Sequence, residues 1–374
     1  MAGIYIHIPF CKSKCHYCNF YSLASSRYVK DFIPALIKEI ELHHNYLEGE
    51  TIDTIYFGGG TPSLLEYDSM MQVFDKLQQT FVIAATPEIT LEANPDDLNT
   101  AKLKAIRQTP VNRLSIGIQS FFDDDLKYLN RIHTASQAEA AVKRSQDNGF
   151  ENISIDLIYG IPTLTDDKWK QNLEHSFSLS VPHISAYSLT VEPKTALDNL
   201  IRKGKSKPVN EEQSINQFKI LMNEMKLNDF THYEISNFCK EGFISIHNSN
   251  YWKGGRYLGL GPSAHSFNLQ SRQWNNSNIV EYIKKIETSA PVVEKETLSE
   301  RDKFNEYIMT SLRTMWGCDL NYIASTFGPD TRKEVEKRSE LFITKEQMML
   351  KNDTLYLTDI GKLFADGIAA DLFR

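Results

Sequence analysis

Cysteine is scarce in this chain, with five among 374 residues, and the odd count does not suit a secreted disulfide framework. No apolar stretch approaches the ~20 residues of a membrane-spanning helix, which excludes a helical anchor of that kind. Basic residues are not in excess: 41 Lys and Arg stand against 48 Asp and Glu, a net charge of −7. A nucleic-acid-coating role normally needs the opposite balance, so no nucleic-acid partner is expected. No internal repeat or low-complexity tract is visible, which sets aside solenoid and fibrous architectures. The opening MAGIYIHIPF has no basic region followed by a long apolar run and does not read as a signal peptide. A cytoplasmic location is expected, leaving room for a peripheral membrane contact. What remains is ordinary globular composition, 41% hydrophobic and 24% charged, at a length for roughly two domains.

Three of the five cysteines, Cys11, Cys15 and Cys18, crowd into the string CKSKCHYC. Cys239 and Cys318 stand alone and read as small core hydrophobes. Clustered thiolates are soft ligands that suit zinc, copper(I) or iron–sulfur clusters. A structural zinc site takes four protein ligands, and His7, His16 or Cys239 would have to complete it. A 4Fe–4S cluster held by three thiolates keeps one iron open, which is a reactive position. The residues alone leave both readings standing.

Short β-branched runs alternate with amphipathic segments over the first 235 residues. Strands are predicted at Ile4–Ile8, Thr54–Phe57, Ile89–Ala93, Arg113–Ile118, Ile153–Ile158 and Ile184–Leu189. Helices are predicted at Tyr28–Tyr46, Ser69–Gln79, Asp97–Gln108, Ser136–Asn148 and Asp166–Leu179. The alternation implies a parallel sheet, either doubly wound or an incomplete (β/α) barrel, with ligands at the C-terminal strand ends in both. Residues 236–297 form an aromatic- and Gly-rich segment. From Leu298 to Arg374 the chain is mainly helical, with a hairpin signal at Met349–Leu357 turning on Asn352-Asp353, as in a winged-helix-like domain.

Gly58-Gly59-Gly60-Thr61-Pro62 follows the second strand without the spacing of a dinucleotide fingerprint or the Lys of a P-loop. As geometry it is a tight strand-to-helix turn. Adjacent glycines there also let backbone groups approach a ligand. Glu92, Gln119 and Asp156 lie at or near the ends of later strands, and Arg131 follows in LNRIHTA. Singly each is a turn or salt-bridge residue; together they converge on the sheet edge that carries the cysteines.

The C-x3-C-x2-C spacing directly after the first strand resembles the radical S-adenosylmethionine (SAM) superfamily. That resemblance implies a partial (β/α)6 TIM-like barrel (residues 1–235) whose three thiolates hold a 4Fe–4S cluster. SAM then chelates the fourth iron, and electron transfer into its sulfonium releases a 5′-deoxyadenosyl radical. The SAM-binding residues implied are Tyr5, Tyr17, Gly59, Gly60, Thr61, Glu92, Gln119, Arg131 and Asp156, with Arg131 facing the SAM carboxylate.

The strings YIHIPFC, YCNF, IYFGGGTPS, EANPDDL, RLSIGIQSF, LNRIHTA and DLIYGIP resemble, in order, the oxygen-independent coproporphyrinogen III oxidase group. The oxidase itself adds a fourth Cys where this chain has Phe20, and a long extension before the cluster loop. His247-Asn248-Ser249-Asn250-Tyr251-Trp252 matches the HNxxYW motif that the group's haem-chaperone branch associates with haem binding. An imidazole suits haem iron, and Tyr251 and Trp252 offer flat faces to a porphyrin. His265 in GLGPSAHSF is an alternative ligand. The resemblance implies a haem chaperone that binds the cluster, SAM and haem and delivers haem to an acceptor protein. The rival readings are the oxidase, decarboxylating coproporphyrinogen III, and an RNA-modifying radical SAM enzyme.

Overall fold

The computed structural model describes residues 1–290 and 293–374. Six parallel strands come first: β1 (Ala2–Ile8), β2 (Ile52–Gly59), β3 (Ile83–Ala93), β4 (Arg113–Gln119), β5 (Asn152–Tyr159) and β6 (His183–Ser188). Each pairs in parallel with the next, and helices fill the connections. The alternation along β4 shows why the sheet takes the form it does. Leu114, Ile116 and Ile118 face one side; Arg113, Ser115, Gly117 and Gln119 face the other. The apolar side joins the helices in one core: Ile4, Phe57, Leu91 and Leu114 pack with Phe32, Phe74, Val142 and Leu173.

The opposite face is polar, and residues from β2 to β6 share one cavity there, from Tyr56 to Ser185 and Tyr187. The sheet is therefore curled around its polar face. This is a partial barrel, and the doubly wound alternative, which needs helices on both faces, does not apply.

The remaining strands extend both flanks. β7 (Thr231–Glu234) and β8 (Asn237–Cys239) add antiparallel beyond β6. β9 (Arg256–Leu260) lies parallel beside β1, followed by antiparallel β10 (His265–Phe267), β11 (Ser271–Asn275) and β12 (Val293–Thr297). The aromatic-rich segment thus completes the sheet at both edges, a long-range pairing that strand periodicity does not reveal.

After β12 come the helix Glu300–Leu312, strand β13 (Cys318–Asp319), helices Leu320–Phe327 and Pro329–Thr344, and the hairpin β14 (Met348–Lys351) and β15 (Thr354–Leu357). This is the expected winged-helix-like order, with its own core around Phe304, Ile308, Leu320 and Leu355. Asn352 and Asp353 both take positive φ, 51° and 58°, as a two-residue hairpin turn requires.

One buried carboxylate ties the β9–β11 extension to the barrel. Glu39, on the helix Val29–Leu42, accepts from Gly261 N (2.7 Å), the Tyr282 hydroxyl (2.7 Å) and Asn275 Nδ2 (2.5 Å). Burial pushes its pKa up to about 7 despite these donors. An acid raised in the folded state binds its proton more tightly there than in the unfolded chain, whose carboxyl titrates near the ordinary value. Stability is therefore expected to fall as pH rises from about 4.5 to about 7 and to level off above. Glu39→Gln should flatten this part of the profile in denaturant unfolding at a series of pH values. A variant profile as steep as the wild type's would remove Glu39 as its source.

Candidate functional site

The cysteine loop leaves β1 and is pinned by backbone bonds, Cys11 N to Leu23 O (2.9 Å) and Leu23 N to Pro9 O (2.7 Å). Cys11, Cys15 and Cys18 are half-buried free thiols that all line the cavity of about 490 Å³ above the polar face. Burial pushes the Cys11 and Cys18 thiols up from their ordinary pKa. Among the described residues no three His, Cys, Asp or Glu side chains already stand as a metal-holding group. The donor set nonetheless suits a soft cluster, with three thiols lining one cavity. His7, His16 and Cys239, the residues that would complete a zinc site, do not line it. His7 is committed elsewhere, its ring bonded with Tyr5 Oη (3.1 Å) and Tyr21 O (2.8 Å).

The glycine turn meets the loop from the side. Gly59 has φ of +105°, and a Cβ there would stand 2.5 Å from the His7 ring. A Cβ on Gly60 would lie 2.6 Å from Phe10 O, so only glycine lets the turn touch the cysteine loop. Thr61 accepts from Asn94 Nδ2 (3.1 Å), and Asn94 Oδ1 accepts from Arg131 Nη2 (2.6 Å). Arg131 also donates to Gly117 O (2.7 Å) and reaches Cys15 Sγ (3.3 Å). Its guanidinium is thus fixed directly behind a cysteine.

Glu92 joins two strands, accepting from Tyr56 Oη (2.9 Å) and Gly59 N (3.1 Å). Burial, reinforced by the charge of Asp156, pushes Glu92 up to about 7. Burial likewise pushes Asp156 up to about 6, against hydrogen bonds from Ser185 and Ser115 and the charges of Arg113 and Arg131. Gln119 sits at a bulge between β4 and β5 with φ of 70°, which turns the strand end toward the cavity. Of the sequence-predicted SAM residues, Tyr17, Gly59, Gly60, Thr61, Glu92, Gln119, Arg131 and Asp156 share the cavity with the three cysteines. Tyr5 does not; it stacks on Tyr56 one layer back.

The HNSNYW string forms the helix Ile246–Trp252, which seals the lower end of the barrel. Glu88 of β3 holds its start, accepting from Ile246 N (3.0 Å) and His247 N (2.8 Å). His247 is 2% exposed, with Nδ1 bonded to Thr54 Oγ1 and Nε2 to Tyr251 Oη, each at 2.8 Å. Its ring stacks on Tyr56 (4.9 Å, 25°), and burial pushes its pKa down to about 3. Trp252 faces Arg313 of the C-terminal domain instead (5.5 Å). Asn248 is the one member of the motif that lines the cavity. His265, by contrast, is exposed on β10 beside Trp274 of β11 (5.9 Å, 28°).

Sequence reasoning missed Arg113, Ser115, Ser185, Tyr187 and Asn248 as cavity residues. The first two carried a readable signal. In RLSIGIQ every second residue is polar or Gly, which is the inward face of a strand.

A profile of the Radical SAM superfamily matches residues 5–175. The protein named "Heme chaperone HemW" in Bacillus subtilis (strain 168) is 32% identical, covering 98% of both chains. Its namesake in Mycobacterium tuberculosis (strain ATCC 25618 / H37Rv) is 31% identical over 99% of this chain and 94% of its own. The Escherichia coli (strain K12) protein of that name is 35% identical over 70% and 69%. Among solved structures, coproporphyrinogen III oxidase (HemN) from Escherichia coli superposes with a TM-score of 0.86 over 100% of this chain and 90% of its own. At 20% identity that likeness speaks for the fold alone. No helix among the described residues is long and apolar enough to cross a membrane.

Glu92 and Asp156 give the cavity a pH dependence of known sign. Both gain negative charge as pH rises through about 6 to 7, between the fixed charges of Arg113 and Arg131. A sulfonium cation such as SAM is therefore expected to bind more tightly at pH 8 than at pH 6 in equilibrium dialysis. Glu92→Gln should lose most of that gain. Equal affinities at the two pH values would show that neither carboxylate senses the ligand.

Proposed function

The chain belongs to the HemW family of the radical SAM superfamily, and from that membership we propose that it is a cytoplasmic haem chaperone. Superfamily membership implies SAM and iron–sulfur use in general. In this reading Cys11, Cys15 and Cys18 hold a 4Fe–4S cluster, and the cavity residues from Gly59 to Asp156 hold SAM beside it. Bound together, cluster and SAM supply one-electron chemistry at the sulfonium. The protein's own contribution is positional. Arg131 backs Cys15, Glu92 offers a carboxylate to the SAM amino group, and the glycine turn brings backbone N–H and C=O groups to the same place.

The observation that carries the chaperone reading is the extent of the likeness. Relatives named heme chaperones align along nearly the whole chain, including the β9–β12 extension and the C-terminal domain. At the position where the oxidase adds a fourth cysteine stands Phe20, 64% exposed.

For the haem itself the geometry favours His265 over His247 as iron ligand. Both ring nitrogens of His247 are engaged, and ligating iron there would break the bond to Tyr251 or Thr54 and open the barrel floor. His265 presents an exposed imidazole beside an indole. Tyr251 still belongs to this surface through an aromatic row, edge-on to Tyr257 (4.6 Å), which in turn meets Phe267 (6.1 Å). Arg272, across from Phe267 on β11, is already ion-paired with Glu306 of the C-terminal domain.

Anaerobic reconstitution is expected to give about four iron and four sulfide per chain. Cys11→Ala, Cys15→Ala or Cys18→Ala should each abolish the cluster, while Cys239→Ala and Cys318→Ala should not. Stoichiometric zinc retained after reconstitution would defeat this assignment.

Haemin titration separates the two histidines. His265→Ala should weaken binding and shift the Soret band. His247→Ala should leave the Soret position unchanged but destabilise the fold by about 2–4 kcal/mol, since it empties a buried site and strands two partners. The reverse pattern would return the iron to His247. Robust coproporphyrinogen turnover without haem would favour the oxidase instead.

A further inference from the structure

The cavity does not end at the level of Glu92 and Asp156. It continues down the inner face of β4 to Arg113, the strand's first residue, and to Asn248 on the helix that closes the barrel. From Gln119 to Arg113 is about 20 Å of strand at ~3.3 Å per residue. The lower chamber is therefore remote from the cysteine loop and separate from the exposed β10–β11 surface assigned to haem.

Arg113 is 1% exposed, yet it makes no side-chain hydrogen bond or ion pair with any described residue. Its Nε has no partner, and neither has the Oγ1 of Thr90, its register neighbour on β3. The Asn248 carboxamide faces the same space, also without a partner among the described residues. A desolvated guanidinium is costly unless an anion accompanies it, and arginines placed this way commonly clamp a planar oxyanion. The two carboxylates above it are poor substitutes. Neither is ion-paired with it: Glu92 accepts from Tyr56 and Gly59, and Asp156 from Ser115.

We propose that this lower chamber is a second ligand site, taking the carboxylate of a small polar molecule between Arg113 and Asn248. The serine hydroxyls of Ser115 and Ser185 and the phenol of Tyr187 line its walls above the carboxylate. The rest of such a ligand points up toward Glu92, the level at which SAM is proposed to lie. The whole cavity is about 490 Å³ and is shared with SAM, so the chamber suits a few heavy atoms and not a macrocycle. This inference goes beyond the chaperone reading; it rests on the SAM placement proposed above and is independent of haem.

The probe is [1-13C]acetate, titrated by NMR into the reconstituted, SAM-loaded protein. Saturable broadening is expected for the wild type. Asn248→Ala should weaken it about ten-fold, the usual effect of losing one hydrogen bond to a charged group. Arg113→Gln should abolish it, with cluster content retained. Should Arg113→Gln fail to fold, Asn248→Ala carries the test, because its side chain supports no other residue. Acetate-soaked crystals should show the anion on the guanidinium. Non-saturable broadening, titration curves unmoved by Asn248→Ala, or ordered water alone on Arg113 in those crystals would each overturn the proposal. Haemin binding reports separately, so failure here leaves the chaperone reading intact, and the converse holds.

Discussion

A parallel sheet with a polar inner face has to satisfy that polarity inside the molecule, and the rest of this structure follows from how it does so. Buried polar groups without partners are expensive, more so where the dielectric is low. Here the burden falls on a stack of inward side chains: Thr54 and Tyr56 on β2, Glu88 and Glu92 on β3, Arg113 and Ser115 on β4, Ser154 and Asp156 on β5. Partners arrive from far along the chain. The helix Ile246–Trp252 brings a histidine to Thr54 and its own first amide groups to Glu88. His183 bridges Ser154 and the Tyr233 hydroxyl at 2.7 and 2.8 Å. Much of the floor is thus a set of satisfied polar contacts, with Arg113 Nε and Thr90 Oγ1 left unpartnered beside them, and the space above it stays open for ligands.

The cluster loop and the strands of the barrel were legible because their signals are local. Three thiols in eight residues, glycines at a strand end and period-2 alternation all survive without knowledge of the fold. The choice between a doubly wound sheet and a partial barrel was not legible, since it depends on which face the helices cover. The flanks were not legible either. β9 reaches β1 across some 250 residues, and nothing in RYLGL announces a parallel partner at the chain's start.

His247 shows a further limit of the same kind. Its residue type and its setting in HNSNYW both suit a haem ligand, and composition cannot tell an available lone pair from an occupied one. The decisive partner, Thr54, lies 193 residues away. Enclosure also changes what the motif accomplishes. His247 stacks on Tyr56, Tyr56 donates to Glu92, and Glu92 accepts from Gly59 in the glycine turn. The motif therefore braces the wall of the upper cavity whether or not it ever meets iron, and a lesion in it propagates to both ligand levels.

Two guanidiniums mark the ends of the polar column, and their surroundings differ in a telling way. Arg131 at the top has a carboxamide, a carbonyl and a thiol within reach of its Nη atoms, although its Nε has no partner among the described residues. Arg113 at the bottom has no such escort. Between them lie Glu92 and Asp156, whose pKa values burial raises. If Arg113 served only to neutralise these two acids, direct contact would be the cheaper arrangement, because attraction grows steeply at short range in a dry site. The chain instead keeps the cation apart and lets each acid find neutral donors, Tyr56 and Gly59 for one, Ser115 and Ser185 for the other. A charge held free of its nearest counter-charges is poised to receive an anion from outside, and the cavity is the path by which one arrives.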